Sequence, residues 1–234
     1  MKNSYMKKKP GKLSSQSEKV RIFVVDDHPI VRQGITQMIN QEKDMMVCGD
    51  AEEAYQALDR IRELNPDIVI VDISLKGTNG IELIKALKLQ NPSLPIMVLS
   101  MHDESLYAER VLRAGARGYV MKQEATGNVL VAIRRVLGGE ICVSEKISTQ
   151  IMEKCVTGSP SKLNSPMDSL SDRELEVFQL IGKGHGTRQI AKDLHLSVKT
   201  VETYREHIKE KLKLENATEL VRHAVQWVEG GSSD

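Results

Sequence analysis

The sequence predicts an α/β fold built on a doubly wound five-stranded parallel sheet, followed by a smaller all-helical unit. Three observations carry that expectation. Between Arg21 and Leu137, short apolar runs alternate five times with segments of helical periodicity, the pattern of βα units in series with helices on both faces of one sheet. The run Ile68-Val69-Ile70-Val71 is four β-branched residues long and follows Pro66. It has no polar alternation, so it reads as a strand buried on both faces. Beyond Pro166 the strand signals stop and helix-capping residues take over.

The elements follow in order. Ile22-Phe23-Val24-Val25 is a strand running into Asp26-Asp27, and the next helix carries Ile30, Val31, Gly34, Ile35, Met38 and Ile39 on one stripe. Met45 to Gly49 is the second strand and Ala51 to Leu64 the second helix. The third strand, Ile68 to Val71, ends in Asp72, and Gly80 to Leu89 is helical. Pro95 to Leu99 is a strand ending in Ser100. Asp103 to Arg113 is a helix stopped by Gly115, and Gly118 to Met121 a short strand ending in Lys122. Ala125 to Leu137 closes the series, with an apolar stripe at Val129, Leu130, Ile133, Val136 and Leu137.

Composition bounds the function classes. The 234 residues suffice for two small domains with separate cores, and 40% apolar against 28% charged residues is the balance of a globular chain. No apolar run approaches the roughly 18 residues of a membrane span, so no membrane partner is expected. Aromatics are 3% of the chain, so the cores must be aliphatic and methionine-filled. The net charge of +1 leaves nucleic-acid binding to a local patch. Cys48, Cys142 and Cys155 form no CxxC pair and read as reduced thiols of a cytoplasmic protein. Residues 1–19 are basic, lack an apolar core behind them, and read as a solvated, disordered tail.

Gly138-Gly139 ends the first domain, placed at residues 20–140. A linker at 141–166 holds a candidate helix, Glu145 to Cys155, and a breaker-rich joint, Gly158 to Pro166. The last unit, 167–230, opens with the capping box Ser171-Asp172-Arg173-Glu174 and a helix to Ile181. A short helix from Thr187 to Leu194 follows. Ser197 caps a longer one to Leu212, and Asn216 with Glu219 caps the last, to Val228. Gly182-Lys183-Gly184-His185-Gly186 does not qualify as a phosphate loop, because a helix precedes it and no Gly-Lys-Ser/Thr follows.

Strand ends in open α/β sheets face the ligand crevice. Asp26, Asp27 and Asp72 sit at two of these ends, with Ser100 and Lys122 at two more. If the strands are neighbours, five side chains converge on one edge. Clustered carboxylates require a cation, and an oxygen-only set favours magnesium over zinc. A hydroxyl and an ammonium beside it suit phosphoryl oxygens. His28 and His102 lie near the site without metal-ligand spacing to another histidine. Helix-start and surface roles are expected of them.

Val25-Asp26-Asp27-His28-Pro29, Val71-Asp72-Ile73-Ser74, Leu99-Ser100 and Tyr119-Val120-Met121-Lys122 together resemble the receiver domain of two-component response regulators, a flavodoxin-like fold. The resemblance implies that Asp72 accepts a phosphoryl group from a sensor histidine kinase. It implies that Asp27 and Asp72 ligate Mg2+ directly, Asp26 through water, and Ser74 through its carbonyl. Lys122 would pair with the phosphoryl oxygens, and Ser100 and Tyr119 would form the switch. Lys76 stands where receivers often carry proline, which alters the loop beside the site.

The segment Ile190 to Val201 has the form of a helix-turn-helix, a short helix joined by a tight turn to a capped second one. Val201, Ile208 and Leu212 are expected to face the core, and Lys199, Glu202, Glu206 and Lys209 to point away. Between Lys183 and Lys213, eight Lys/Arg stand against four Asp/Glu, an excess of +4 that the whole-chain charge hides. Leu170 to Val177, Ile190-Ala191 and Ser197 to Tyr204 resemble the LuxR-type helix-turn-helix. Receiver plus this module is similar to the NarL/FixJ type of response regulator. That resemblance makes Val198 to Leu212 the recognition helix. Lys199, Thr203 and Arg205 are expected to contact double-stranded DNA, with Thr187 and Arg188 reaching phosphates and Thr200, Glu202 and Lys209 completing the set. Tyr204 is expected to pack, and the last helix to serve homodimerisation.

The expected function is thus a phosphorylation-activated transcription factor, not an enzyme, whose receiver masks the recognition helix until phosphorylated. An aspartyl-phosphate hydrolase is disfavoured, because the position two residues after Asp72 is Ser74 and not an acid/base aspartate. The alternative is a phosphorylation-independent DNA-binding regulator that uses the receiver only to dimerise.

Overall fold

A computed structural model describes residues 19–157 and 166–230; the tail at 1–18, most of the predicted joint (158–165) and residues 231–234 lie outside the described residues. Five strands form one parallel sheet in the order β2-β1-β3-β4-β5. They are β1 (Val20–Val25), β2 (Met45–Ala51), β3 (Ile68–Val71), β4 (Ile96–Ser100) and β5 (Gly118–Met121). The helices between and after them are α1 (Pro29–Asn40), α2 (Ala54–Leu64), α3 (Gly80–Gln90), α4 (Glu104–Arg113) and α5 (Ala125–Leu137).

Alternation along the strands divides the core. Ile22, Val24, Ile68, Ile70, Met97, Leu99 and Val120 face α1 and α5, where Ile35, Ile39, Val129, Ile133 and Val136 meet them. Phe23, Val25, Val69, Val71, Val98 and Tyr119 face α2, α3 and α4. All four residues of β3 are buried, as a central strand covered on both sides must be. The apolar stripe of α1 is narrower than expected: Ile30 is 84% exposed, and only Ile35 and Ile39 are buried. At 3.6 residues per turn Ile30 lies about half a turn round the helix from Ile35 and Ile39, so it faces solvent. Ala51 belongs to β2 and not to the second helix, because its carbonyl still accepts from Asp26 N at 3.1 Å.

Past β5 the chain keeps to the sheet edge: Tyr119 N donates to Cys142 O and Cys142 N to Arg117 O, both at 2.8 Å. The expected linker helix is α6 (Glu145–Thr157). After a 3-10 turn at Pro166–Ser169 come α7 (Asp172–Gly182), α8 (Thr187–Asp193), α9 (Val198–Leu212) and α10 (Ala217–Gly230). The capping box of α7 is complete, Ser171 accepting from Glu174 N and Glu174 accepting from Ser171 N. Gly182 is required where α7 meets α10, since a Cβ there would lie 2.4 Å from Ala224 O. Met167, Leu170, Leu175, Phe178, Ile190, Val201, Ile208, Leu220 and Ala224 make the core of this unit, continuous with the α2–α3–α4 side of the sheet. No helix among the described residues is long and apolar enough to cross a membrane.

Candidate phosphoacceptor site and nucleic-acid interface

Strand register brings the acidic residues together. Val25 pairs with Val71 and Val71 with Val98, so Asp26 and Asp72 leave the sheet side by side. Ser100 pairs with Met121, and Lys122 follows at once. Asp72 N donates to Val25 O at 2.8 Å, which holds the acceptor loop against β1. Gly80 lets the start of α3 close on that loop, because a Cβ would sit 2.0 Å from Asp72 O.

Asp26, Asp72 and Ser100 are buried, and Asp27 is partly so. Lys122 Nζ lies 2.6 Å from Asp72 Oδ2 and 2.8 Å from Asp26 Oδ2. Burial pushes the Asp72 carboxyl up to about 6, with Lys122 opposing and Asp26 adding to the rise. For Lys122, burial works towards the neutral amine, but the two carboxylates outweigh it and hold the ammonium above its ordinary value. Asp72 Oδ1 is buried and accepts no hydrogen bond among the described residues. The carboxylates of Asp26, Asp27 and Asp72 and the His28 ring each offer a ligand atom within 4.8 Å of the others. An orphaned buried oxygen in a set of hard donors fits a divalent cation, the ion that receiver domains generally bind at an acidic pocket.

Ser100 and Tyr119, the pair expected to form a switch, are adjacent and buried. Tyr119 points inward and its hydroxyl donates to His102 O at 2.8 Å, while His102 N donates to Ser100 Oγ at 3.3 Å. His102 is not the surface residue expected of it. Its Nε2 shares a 2.8 Å hydrogen bond with Ser74 Oγ, and its ring lies 4.7 Å from that of Tyr107. Burial lowers its pKa, against the pull of Glu176. His28 does stand at the helix start, but its ring is directed into the acidic cluster, 2.7 Å from Asp27 Oδ1. Lys76 pairs with Glu52 at 3.2 Å.

Sequence reasoning missed a second polar cluster that joins this site to the helical unit. Glu176 of α7 is 1% exposed. It accepts from Asn79 Nδ2 at 3.3 Å, from Ser74 Oγ at 3.4 Å and from Arg173 of its own helix. Tyr107 donates its hydroxyl to Gln179 at 3.1 Å, and Arg110 donates to Leu170 O, Met167 O and Asp172. A polar residue at a helix position gives no sign in sequence that it will be buried by another domain.

The receiver does not cover α9, the helix expected to read DNA, contrary to the expected masking. Lys199, Glu202, Thr203 and Glu206 are exposed, and it is α7, not α9, that faces the receiver. His195, at φ 53, makes the turn between α8 and α9. Ser197 caps α9 by accepting from Thr200 N at 3.0 Å, and its hydroxyl also lies 2.7 Å from that of Thr200, so the Thr200 side chain is tied to the cap. Thr203 donates to Lys199 O at 3.0 Å. Arg188 is exposed and Thr187 and Arg205 are half-buried. Lys209 does not point fully outward: its side chain is half-buried and pairs with Glu206 at 2.8 Å. Tyr204 packs on the core, as does Leu212.

A family model described as "Response regulator receiver domain" matches residues 22–134, and one described as "Bacterial regulatory proteins, luxR family" matches residues 168–224. Oxygen regulatory protein NreC of Staphylococcus aureus is 36% identical over 211 residues, covering 88% of this chain and 97% of its own. A LuxR-family two-component response regulator from Aurantimonas sp. SI85-9A1 is 35% identical with a TM-score of 0.55, covering 59% of this chain and 99% of its own. RcsB from Salmonella enterica serovar Typhimurium, solved on promoter P1flhDC with phosphomimetic BeF3-, is 29% identical with a TM-score of 0.58, covering 88% of this chain and 98% of its own. These families regulate transcription and are not classical enzymes. With a receiver at one end, a LuxR-type DNA-binding unit at the other and relatives matched along most of its length, the chain belongs to the phosphorylation-activated response regulators of the NarL/FixJ type.

Proposed function

We propose that Asp72 is the phosphoacceptor of this regulator. An Asp72 carboxylate oxygen attacks the phosphorus of a kinase phosphohistidine, the P–N bond breaks, and its electron pair stays on the imidazole. The convergence of Asp26, Asp27, Asp72, Ser100 and Lys122 on one sheet edge carries this reading. Asp27, Asp72 and the Ser74 carbonyl would hold Mg2+, with Asp26 acting through water. When bound, the ion neutralises charge on the phosphoryl oxygens. Lys122 moves from carboxylate to phosphoryl oxygen, and Ser100 donates its hydroxyl there, giving up its present contact with His102. That contact leads through His102 and Ser74 to Glu176, so the docking of α7 feels the change.

The output reading is sequence-specific DNA binding as a homodimer in the cytoplasm. Lys199, Thr203 and Arg205 contact the major groove, Thr187 and Arg188 the phosphates, and Glu202 a base edge. Its division into receiver (20–140), linker (141–166) and DNA-binding unit (167–230) belongs to the same proposal. The test is DNA binding with Mg2+ before and after a small phosphodonor, for the wild type and Asp72→Asn, on sites selected from a random pool. A donor-dependent rise in the wild type alone is expected. Equal binding by both proteins would leave the phosphorylation-independent regulator as the reading.

A further inference from the structure

We propose that His28 adds its imidazole Nδ1 to the cation site of Asp26, Asp27 and Asp72, and so gives that site a preference for first-row transition-metal dications over Mg2+. The inference rests on the cation reading above and deepens it.

The placement begins in the backbone. His28 stands at the N-cap of α1 with Pro29 behind it, yet its side chain makes no capping hydrogen bond. Its own N–H donates to Asp26 Oδ1 at 2.8 Å, which turns the residue towards the acidic edge. From there Nδ1 lies 2.7 Å from Asp27 Oδ1, 3.4 Å from Asp26 Oδ1 and 4.0 Å from Asp72 Oδ2. Around an octahedral ion with bonds of about 2.1 Å, neighbouring ligand atoms are about 3.0 Å apart and opposite ones about 4.2 Å. The imidazole is therefore spaced from Asp27 as a neighbour in one coordination shell, given a shift of a few tenths of an ångström. Asp26 Oδ1 stands close enough to act on the same ion through water, and Asp72 Oδ2 is the atom that Lys122 holds.

The two sides of the cluster are chemically distinct. Lys122 holds Oδ2 of Asp26 and Oδ2 of Asp72 from the β5 side. His28 faces Oδ1 of Asp26 and Oδ1 of Asp27 from the α1 side. The Asp72 Oδ1 atom, buried and without a hydrogen bond, is the independent sign that the pocket is built for a further positive partner. The His28 side chain is 59% exposed, so the nitrogen meets an ion at the mouth of the site. Mg2+ gains little from nitrogen and gives up water reluctantly, whereas Co2+ and Ni2+ gain from imidazole in the Irving–Williams order.

The experiment titrates the full chain with Co2+ alone, followed by visible absorption and by paramagnetic proton NMR, and with Mg2+ alone by calorimetry. Wild type is expected to show a shifted, solvent-exchangeable imidazole N–H resonance with Co2+. In His28→Ala that resonance disappears and the ratio of Co2+ to Mg2+ affinity falls at least about tenfold. His28→Asn, which offers oxygen in place of nitrogen, is expected to lose the preference as well. If the wild type binds both ions without an imidazole resonance, and the ratio survives in both variants, His28 is no ligand and the magnesium reading stands. If the wild type binds neither ion, the cation site itself is refuted and this inference with it.

Discussion

Ser74 of the loop after β3 donates its hydroxyl to Glu176 of α7 at 3.4 Å, two residues from the candidate phosphoacceptor and 102 residues away in sequence. The DNA-binding unit therefore carries a buried carboxylate against the edge of the receiver that phosphorylation would alter. This docking leaves Lys199, Glu202, Thr203 and Glu206 of α9 exposed while fixing the direction in which α9 points. Two copies that read two half-sites must match that direction.

Loss of Glu176 should free the helical unit. Glu176→Ala leaves Asn79 and Arg173 without their acceptor, a cost of about 1–3 kcal/mol to the docked state. Hydrogen exchange should quicken in α7 and in residues 74–80, and unphosphorylated protein should bind DNA more tightly. Unchanged exchange in both segments would show that the contact does not hold the units together.

Asp72 should make stability fall as pH rises. Its folded pKa of about 6 is above the ordinary 3.8, so the folded chain holds this proton more tightly. The resulting stabilisation is complete below about pH 4 and is lost as pH rises through 6. Asp72→Asn should therefore be more stable than the wild type at pH 7.5, by about 1–3 kcal/mol, with the margin closing near pH 4. Urea unfolding across that range, without divalent cations, measures it.

Lys199 and Thr203 should separate affinity from reading. Lys199→Ala removes an exposed cation from the first turn of α9 and should lower the slope of log K against log salt by about 1. Thr203 already spends its hydroxyl on Lys199 O, so Thr203→Ala should leave that slope unchanged. Salt-dependent fluorescence anisotropy on one selected site distinguishes the two.

Much of this was legible in the chain because it is local. The β-branched run at 68–71 and the strand ends at Asp26, Asp72, Ser100 and Lys122 are signals of a few residues each, and β3, β5 and α5 have the bounds read for them. The caps at Ser171 and Ser197 are equally short-range, and both are made. Ile30 departs from the expected stripe because it lies about half a turn round α1 from Ile35 and Ile39, and an apolar residue off the buried face stays in solvent.

The five βα units, the helix-turn-helix and the residue types of the acidic edge are readable from the chain alone, since hydrophobic period, capping chemistry and strand-end carboxylates are written in neighbouring residues. Long-range packing buries Glu176 and Gln179, joins His102 to Ser74, turns His28 towards three carboxylates, and sets α7 and not α9 against the receiver. Each of these is a contact between residues distant along the chain. Its free energy depends on what the second surface presents, and no local pattern encodes that.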